Sequence, residues 1–187
     1  MKGKIIFLNG TSSAGKTTLA KALQEKLQEP YYFLSFDSIR GMIPDKYRRG
    51  DFGVDVAWKL FFNAASWFNH SIKLFSDMGF NTVVEYTFEK SHKTLEECVE
   101  LLHEYPVLFV HVTCPAEELR RREKERGDRQ PGLAENLLKN LEPQDTYDIT
   151  ADTHNNSTEE CADKIIETLN YPEKLTAFKS LWPQRAK

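Results

Sequence analysis

The sequence has few cysteines and no long hydrophobic run, and each absence excludes a class of protein. The three cysteines, Cys98, Cys114 and Cys161, are odd in number and lack metal-binding spacing. They indicate free thiols in a reducing compartment and exclude a disulfide scaffold. The apolar run near the start, Ile5 to Leu8, is far shorter than the apolar core of a signal peptide or a membrane span. We therefore expect a cytoplasmic protein that does not bind membranes.

The chain also lacks a strong charge of either sign. Its formal net charge is -3 over 187 residues, of which 40% are hydrophobic and 28% are charged. This balance is typical of a globular domain and offers no general surface for nucleic acid, so any bound anion requires a local basic cluster. We expect a single domain over residues 1–187 that acts on a small molecule, with a homo-oligomer left open.

Short apolar runs alternate with amphipathic ones, which predicts an α/β fold with a parallel sheet covered by helices. The predicted strands are Lys4–Asn9, Tyr31–Phe36, Asn81–Tyr86, Pro106–Val112 and Tyr147–Ala151. The predicted helices are Lys16–Leu27, Phe52–Met78, Ser91–His103, Ala116–Arg126, Leu133–Leu141 and Ser157–Leu169, with a further helical tail over 172–187.

Local signals predict several turns and helix ends. A polar turn is expected at Asp37-Ser38, after the second strand. Ser91 is expected to be an N-cap, and Pro115 to occupy the first helical position. Ser157 and Glu160 have the spacing of a capping box.

The stretch FLNGTSSAGKTTLAKAL, which begins at Phe7, joins a strand-like run to a helical pattern through a glycine-rich turn. It contains G-x-x-x-x-G-K-[ST], the pattern of a phosphate-binding loop, whose backbone N–H groups surround phosphate oxygens. Lys16 is expected to contact the terminal phosphates, and the Thr17 hydroxyl to bind Mg²⁺. The predicted nucleotide-binding residues of this stretch are Gly10, Thr11, Ser12, Ser13, Ala14, Gly15, Lys16, Thr17 and Thr18.

Asp37 lies at the end of the second predicted strand. Ligands of open α/β sheets bind at this edge, and a carboxylate there can accept the proton of an attacking hydroxyl. The alternative is that Asp37 caps the short helix that follows. Both roles are compatible, because a capping carboxylate keeps a free lone pair.

The segment LRRREKERGDRQPG, which begins at Leu119, concentrates arginines at a helix end and in the glycine-containing break after it. Arg122 and Arg126 share a helix face, and Arg129 lies in the break. We interpret residues 119–133 as a lid whose guanidinium groups neutralise a transferring phosphoryl group. The alternative is a solvated helix face with i,i+4 ion pairs such as Glu118–Arg122 and Glu125–Arg129.

Glu85 ends the third predicted strand. A carboxylate at this position can hold a water bound to Mg²⁺, and the alternative is a surface carboxylate that contacts a turn. The long helix carries more apolar residues than one stripe needs, among them Phe52 and Trp58. These aromatic side chains indicate either a second packing surface or a wall for a flat acceptor.

Several stretches together resemble the chloramphenicol phosphotransferase family of P-loop kinases: IIFLNGTSSAGKTTL, DSIR, CPAEELRRREKERGDR, and the downstream ADTH and STEECA. The resemblance covers residues 4–169. It implies the three-layer P-loop nucleoside triphosphate hydrolase fold, a five-stranded parallel sheet with the phosphate-loop strand in the middle and helices on both faces. It also implies transfer of the γ-phosphate of ATP, with Mg²⁺, to a hydroxyl of a small molecule.

The resemblance also implies roles for individual residues. Asp37 is the base on the acceptor hydroxyl, and Asp152 and Thr153 lie near the nucleotide base. The nucleotide phosphates and Mg²⁺ are bound by Gly10, Gly15, Lys16 and Thr17, and the lid contains Arg122, Arg126 and Arg129.

The sequence departs from this family at two positions. The acidic pair that follows the third strand is Glu85-Tyr86 here. Arg40 follows Asp37 by three residues, a spacing similar to polynucleotide and zeta-toxin-like kinases, where an arginine meets an anionic part of the acceptor. A polynucleotide or nucleotide-sugar kinase is therefore an alternative, and a nucleotide-binding regulatory module is another. The predicted substrate-binding residues are Asp37, Arg40, Phe52, Trp58 and Glu85.

Overall fold

The computed structural model describes residues 1–89, 93–127, 132–141 and 146–185, and within the last range residues 183–185 are described by their backbone alone. A parallel sheet of five strands, in the order β2-β3-β1-β4-β5, lies at its centre. The strands are β1 Ile5–Asn9, β2 Tyr31–Ser35, β3 Asn81–Tyr86, β4 Val107–Thr113 and β5 Ile149–Asp152. The predicted fold is confirmed, with the strand that leads into the phosphate-binding loop in the middle of the sheet.

Helices connect successive strands and cover both faces of the sheet. A 3-10 turn at Pro172–Lys174 precedes the last of them. The helices are α1 Lys16–Lys26, α2 Phe36–Gly41, α3 Asp45–Arg48, α4 Val54–Asp77, α5 Thr94–Leu102, α6 Ala116–Arg126, α7 Leu133–Lys139, α8 Thr158–Leu169 and α9 Ala177–Arg185. No helix of the described residues is long and apolar enough to cross a membrane.

Alternate side chains of β1 enter two different hydrophobic cores. Ile5 and Phe7 pack in a core with residues of α4, α5 and α9. Ile6 and Leu8 pack in a second core with residues of α1 and α8. All four side chains are fully buried, because a central parallel strand is covered on both faces. This burial explains why the first strand is a continuous apolar run.

The structure corrects two predictions, the turn or cap role of Asp37 and the helical position of Pro115. β2 ends at Ser35, which is the N-cap of α2, so Asp37 lies in the first helical turn and neither forms a polar turn nor caps the helix. A carboxylate in the first turn is favourable because it faces the positive end of the helix dipole. Pro115 is an N-cap with extended backbone, since its ψ of 146° is not helical.

Of the two other predicted helix starts, that of α8 is as predicted and that of α5 is not. The capping box of α8 is confirmed: the Ser157 hydroxyl accepts from the Glu160 N–H, and the Glu160 carboxylate accepts from the Ser157 N–H. α5 begins at Thr94, later than predicted, after Lys93 in a left-handed conformation. Ser91, the predicted cap, lies outside the described residues.

A half-buried carboxylate holds the C-terminal segment against the sheet. Asp148 accepts hydrogen bonds of 2.8 Å from the backbone N–H groups of Phe109, Thr176 and Ala177. In α9, the ring of Phe178 packs edge-on against that of Phe109, with centroids 5.1 Å apart. Asp148 thus joins β4 to the start of α9, which lies within the segment 172–187 where a helical tail was predicted.

Candidate active site

The glycine-rich loop connects the central strand β1 to helix α1, at the carboxyl edge of the sheet. Gly10 is required there, because a Cβ at this position would lie 2.3 Å from the backbone oxygen of Val112. Ser13 and Gly15 both have positive φ, of 62° and 93°. This backbone brings the loop directly to the amino end of α1, where free N–H groups and the helix dipole favour an anion.

Lys16 places a positive charge over this loop. Its Nζ donates to the carbonyl oxygens of Gly10 and Thr11 at 2.8 and 2.9 Å, and to Thr87 Oγ1 at 3.3 Å. The side chain also lines an open cleft of about 680 Å³. A phosphate in the loop would therefore meet an ammonium group that is already in place.

The predicted nucleotide-binding residues divide into two groups. The cleft is lined by Ser12, Ser13, Gly15, Lys16, Thr17 and Thr18, whereas Gly10, Thr11 and Ala14 are buried behind the loop. Thr11 donates its hydroxyl proton to the Ala134 carbonyl at 2.7 Å. Its side chain therefore anchors the loop to α7 instead of facing the cleft.

Glu85 bridges two hydroxyl groups beside the loop. The parallel register places it opposite Leu8 of β1 and Ser35 of β2. Its Oε2 accepts from Thr17 Oγ1 at 2.8 Å, and its Oε1 accepts from Ser35 Oγ at 3.0 Å. The structure thus brings the predicted metal-site pair, Thr17 and Glu85, together, and adds Ser35, which the sequence analysis missed.

These oxygen donors suit Mg²⁺, which prefers hydroxyl, carboxylate and phosphate oxygens and retains several waters. Among the described residues, no three His, Cys, Asp or Glu side chains form a self-contained metal site. A metal held by Thr17 and Glu85 would therefore complete its coordination with oxygens from outside the protein, those of waters or of phosphate groups.

Part of the wall of the cleft is formed by α2 and α4. Asp37 and Arg40, one turn apart on α2, both line it, with Phe36 and Phe61 beside them. Asp37 is exposed and Arg40 is half-buried. Within the described part of the chain, the Arg40 guanidinium has no hydrogen bond or ion pair.

Two predicted acceptor-binding aromatics stack on other rings of the protein. The ring of Phe52 stacks on Tyr47 at 4.7 Å and is 55% exposed. The ring of Trp58 stacks on Phe62 at 5.9 Å and is 45% exposed. Neither lines the cleft, whereas Phe61 does. Phe52 precedes α4, and because α4 carries apolar side chains on more than one face, its sequence pattern could not distinguish Trp58 from Phe61.

The arginine-rich helix α6 contributes to the cleft with one face only. Arg122 and Arg126 line the cleft, as the lid interpretation predicts, and Arg129 lies outside the described residues. On the other side, Arg120 pairs with Glu135 at 3.0 Å and Arg121 pairs with Glu118 at 2.6 Å. The solvated-face alternative therefore holds for Arg120 and Arg121.

Arg122 both lines the cleft, as the lid interpretation predicts, and forms an i,i+4 ion pair, as the alternative predicts. Its Nε donates to Glu118 at 2.8 Å, the predicted i,i+4 pair, while its Nη1 and Nη2 donate to Thr153 Oγ1 and O at 3.1 and 2.9 Å. Hydrogen bonds from Arg121 and then from Arg122 hold the pKa of Glu118 at about 2. The carboxylate that orients Arg122 thus stays ionised well below neutral pH.

Glu123, on α6, is a further structural residue that the sequence analysis missed. It is only 4% exposed, and its two oxygens accept from the backbone N–H groups of Gly132 and Ala134 at 2.7 and 2.9 Å. It therefore fixes α7 to α6. Its only signal in the sequence is its position in a helical, charged segment.

The two residues predicted near the nucleotide base have different surroundings. Thr153 lines the cleft. Asp152 does not; its carboxylate accepts from the backbone N–H groups of His154 and Asn155 and from Asn155 Nδ2 at 2.7 Å. The Asn155 side chain first, and these N–H groups next, lower the pKa of Asp152. Asp152 thus shapes the turn that presents Thr153.

A phosphate-binding loop between the central strand and a helix, with a lysine and arginines around one cleft, is the arrangement expected of a P-loop kinase. Residues 3–170 match the family described as chloramphenicol phosphotransferase-like protein. The chain belongs to this family and is a kinase, which confirms the resemblance and removes the regulatory-module alternative.

Named relatives and solved structures agree with this assignment. The "putative O-phosphotransferase" of Mycobacterium tuberculosis strain H37Rv is 28% identical over 205 residues, covering 96% of this chain and 88% of that protein. A sugar kinase from Janibacter sp. has a TM-score of 0.68 at 19% identity, covering 92% of this chain and 98% of the other. APS kinase of M. tuberculosis, in complex with AMPPNP and APS, has a TM-score of 0.67 at 18% identity, covering 90% and 98%. The two structures support the fold alone.

Proposed function

We propose that the protein transfers the γ-phosphate of Mg²⁺·ATP to a hydroxyl group of a small molecule. The observation that carries this proposal is the placement of Asp37 in the same cleft as the phosphate-binding loop. The loop and Lys16 would bind the triphosphate, and Asp37 would face the acceptor within the same cleft. Such an arrangement supports transfer in line between two bound reactants.

In the proposed reaction, Asp37 accepts the proton of the acceptor hydroxyl as its oxygen forms a bond to the γ-phosphorus. The bond from that phosphorus to the bridging oxygen breaks, and ADP leaves. Lys16, Arg122 and Arg126 line the cleft and stabilise the charge of the transferring group. Thr17 and Glu85 would hold Mg²⁺, which neutralises charge on the phosphates when bound.

Arg40 supports a second candidate, a kinase for an anionic acceptor such as a nucleotide sugar or the end of a polynucleotide. Its guanidinium lines the cleft one turn from Asp37 and has no partner among the described residues. A half-buried cation in this situation favours a ligand with a carboxylate or phosphate group. A neutral acceptor would leave Arg40 without a role in binding.

A screen of acceptors for ADP release tests the proposal and separates the two candidates. Hydroxylated antibiotics, sugars, nucleosides and their phosphorylated forms are each incubated with ATP and Mg²⁺, and ADP is measured. The wild type is expected to release ADP only with a suitable acceptor. Asp37→Asn should retain ATP affinity and lose about 10²- to 10⁴-fold in turnover, whereas Asp163→Asn, exposed on α8, should match the wild type.

Each outcome has a distinct meaning. Full activity of Asp37→Asn would contradict the role of Asp37 as base. Release of ADP with phosphorylated acceptors only, and its loss in Arg40→Gln, would establish the second candidate. If no acceptor in a broad screen stimulates ADP release, the proposed phosphotransferase activity is wrong.

A further inference from the structure

We propose that Thr153 is a positioning residue that fixes Arg122 beside the phosphate-binding loop before any nucleotide binds. This inference rests on the proposed phosphotransferase function, because Arg122 is taken to act on the transferring phosphoryl group. It assigns to Thr153 a task other than contact with the nucleotide base. The hydroxyl of Thr153 orients Arg122 and connects it to the loop.

The backbone of Thr153 is itself held in place. It follows β5 directly, and its N–H donates to the Thr113 carbonyl at 3.1 Å, continuing the ladder between β4 and β5. The turn that follows is closed by the Asp152 carboxylate. Thr153 therefore presents its hydroxyl and its carbonyl oxygen from a rigid strand end.

The hydroxyl of Thr153 joins the arginine to the loop. Because a guanidinium can only donate, Thr153 Oγ1 accepts from Arg122 Nη1 at 3.1 Å. Its own proton remains for a carbonyl, and that of Ala14, at 2.8 Å, is closer than that of Thr113, at 3.1 Å. A continuous path thus runs from Arg122 through one hydroxyl to the backbone of the phosphate-binding loop.

The remaining donors of Arg122 are left for a ligand. A guanidinium has five N–H groups, and contacts with described residues occupy three of them, on Nε, Nη1 and Nη2. The side chain lines the cleft, and a Cβ built on Gly15 would lie 3.7 Å from its Nη1. The other two N–H groups are therefore available beside the loop residues that would surround a phosphate.

Thr153 also competes with Glu118 for the N–H groups of Arg122. Glu118 is ionised, with a pKa of about 2, and it accepts from Arg122 Nε at 2.8 Å. Without the hydroxyl, only the Thr153 carbonyl, which accepts from Nη2 at 2.9 Å, would oppose a turn of a second N–H toward this carboxylate, as arginine makes in bidentate pairs. A small misalignment of such a group lowers the rate of transfer strongly.

The experiment is a double-mutant cycle between Thr153→Val and Arg122→Gln, read by two independent measurements. Valine keeps the branched shape and removes only the hydroxyl, and Thr153→Ser keeps the hydroxyl. The first measurement is the affinity for AMPPNP with Mg²⁺, which needs no acceptor. The second is kcat and KM with the best acceptor from the screen described above. Thr168→Val is the matched control, because its hydroxyl donates to a backbone carbonyl, that of Lys164, on the remote helix α8.

Thr153→Val is expected to lower kcat about tenfold and to weaken AMPPNP binding severalfold, with a smaller change in acceptor KM. Thr153→Ser should restore both values. In the Arg122→Gln background, Thr153→Val should add no further loss, because the group that it positions is already absent. Thermal unfolding of every variant shows whether the fold is retained.

An equal effect of Thr153→Val in both backgrounds would overturn the inference, and so would wild-type affinity and kcat in Thr153→Val. A loss of folded protein in Thr153→Val leaves Thr153→Ala and Thr153→Ser to complete the same cycle. If no acceptor is phosphorylated even by the wild type, the proposed function fails, while the AMPPNP cycle still decides whether Thr153 positions Arg122.

Discussion

The hydroxyl of Thr17 donates a hydrogen bond of 2.8 Å to the carboxylate of Glu85, across 68 residues of sequence. Thr17 lies in the first turn of α1, and Glu85 lies at the carboxyl end of β3. The two oxygens belong to the ligand types that Mg²⁺ prefers. Their contact places the carboxylate at the point where the proposed metal would meet the phosphates.

Replacing Glu85 by glutamine should weaken the response to Mg²⁺. Glutamine retains an oxygen that can accept from Ser35 but removes the negative charge, so we expect the Mg²⁺ concentration for half-maximal activity to rise about 10- to 100-fold. Titration of nucleotide affinity with and without Mg²⁺ gives a readout that is independent of turnover. Glu25→Gln, exposed on α1, is the control, and an unchanged Mg²⁺ dependence in Glu85→Gln would exclude Glu85 from the site.

Replacing Lys16 by methionine should remove most of the affinity for the triphosphate. The side-chain length is kept, but the ammonium that lies over the Gly10 and Thr11 carbonyls is lost. We expect turnover to fall about 10²- to 10³-fold, as on loss of a donor to a developing charge. AMPPNP titration and ADP release measure the two effects. Lys21→Met, exposed on the same helix, should behave as wild type; equal AMPPNP affinity in the two variants would contradict the role of Lys16.

The sequence predicted the sheet well because its strands are apolar runs separated by helical patterns. β3 and α6 have the predicted bounds, and β1 and α1 differ from the prediction by one residue at one end. Errors arose where local signals compete. The sequence predicts the start of α5 too early. The helix begins at Thr94 because Lys93 adopts a left-handed backbone conformation that no sequence pattern predicts. In the same way, Asp37 has the residue type of a cap, but Ser35 occupies the cap position.

The candidate site was predicted only where its residues follow one another in the chain. Gly10 to Thr18 form a local motif, whereas Thr87 reaches Lys16 across 71 residues, and Ser35 reaches Glu85 across 50. Those contacts depend on the order of the strands, which spacing along the sequence does not encode. The selection of Phe61 over Trp58 likewise depends on which side of α4 faces the cleft, whereas Phe52 precedes α4.

Replacing Gly10 by alanine should destabilise the fold and disrupt the phosphate-binding loop together. The added Cβ would lie 2.3 Å from the Val112 oxygen, a backbone atom of the adjacent strand that cannot move alone. We expect a loss of about 1–3 kcal/mol in the free energy of unfolding, measured with urea, and weaker AMPPNP binding. Gly41→Ala is the matched control, since a Cβ there meets no heavy atom within 4 Å. Equal stability of the two variants would show that the loop can shift away from β4.

Replacing Asp148 by alanine should release the C-terminal segment from the sheet. Three backbone N–H groups, those of Phe109, Thr176 and Ala177, would lose their acceptor. We expect a loss of about 1–3 kcal/mol in the free energy of unfolding. The exposed residue Asp55, on α4, gives the control variant Asp55→Ala, which should unfold as the wild type does.

The pH dependence of this loss tests the environment of Asp148 separately. Burial raises the pKa of Asp148 in the folded protein, above the value of about 3.9 for an unfolded aspartate. The folded chain therefore takes up a proton at a higher pH than the unfolded chain. The contribution of Asp148 to stability accordingly grows as the pH falls through the folded pKa, and it is complete below the unfolded value. Thermal unfolding from neutral pH down to about pH 4 should show the gap between the wild type and Asp148→Ala widening. A gap that narrows over this range would mean that the three N–H groups hold the carboxylate ionised more strongly than burial opposes it.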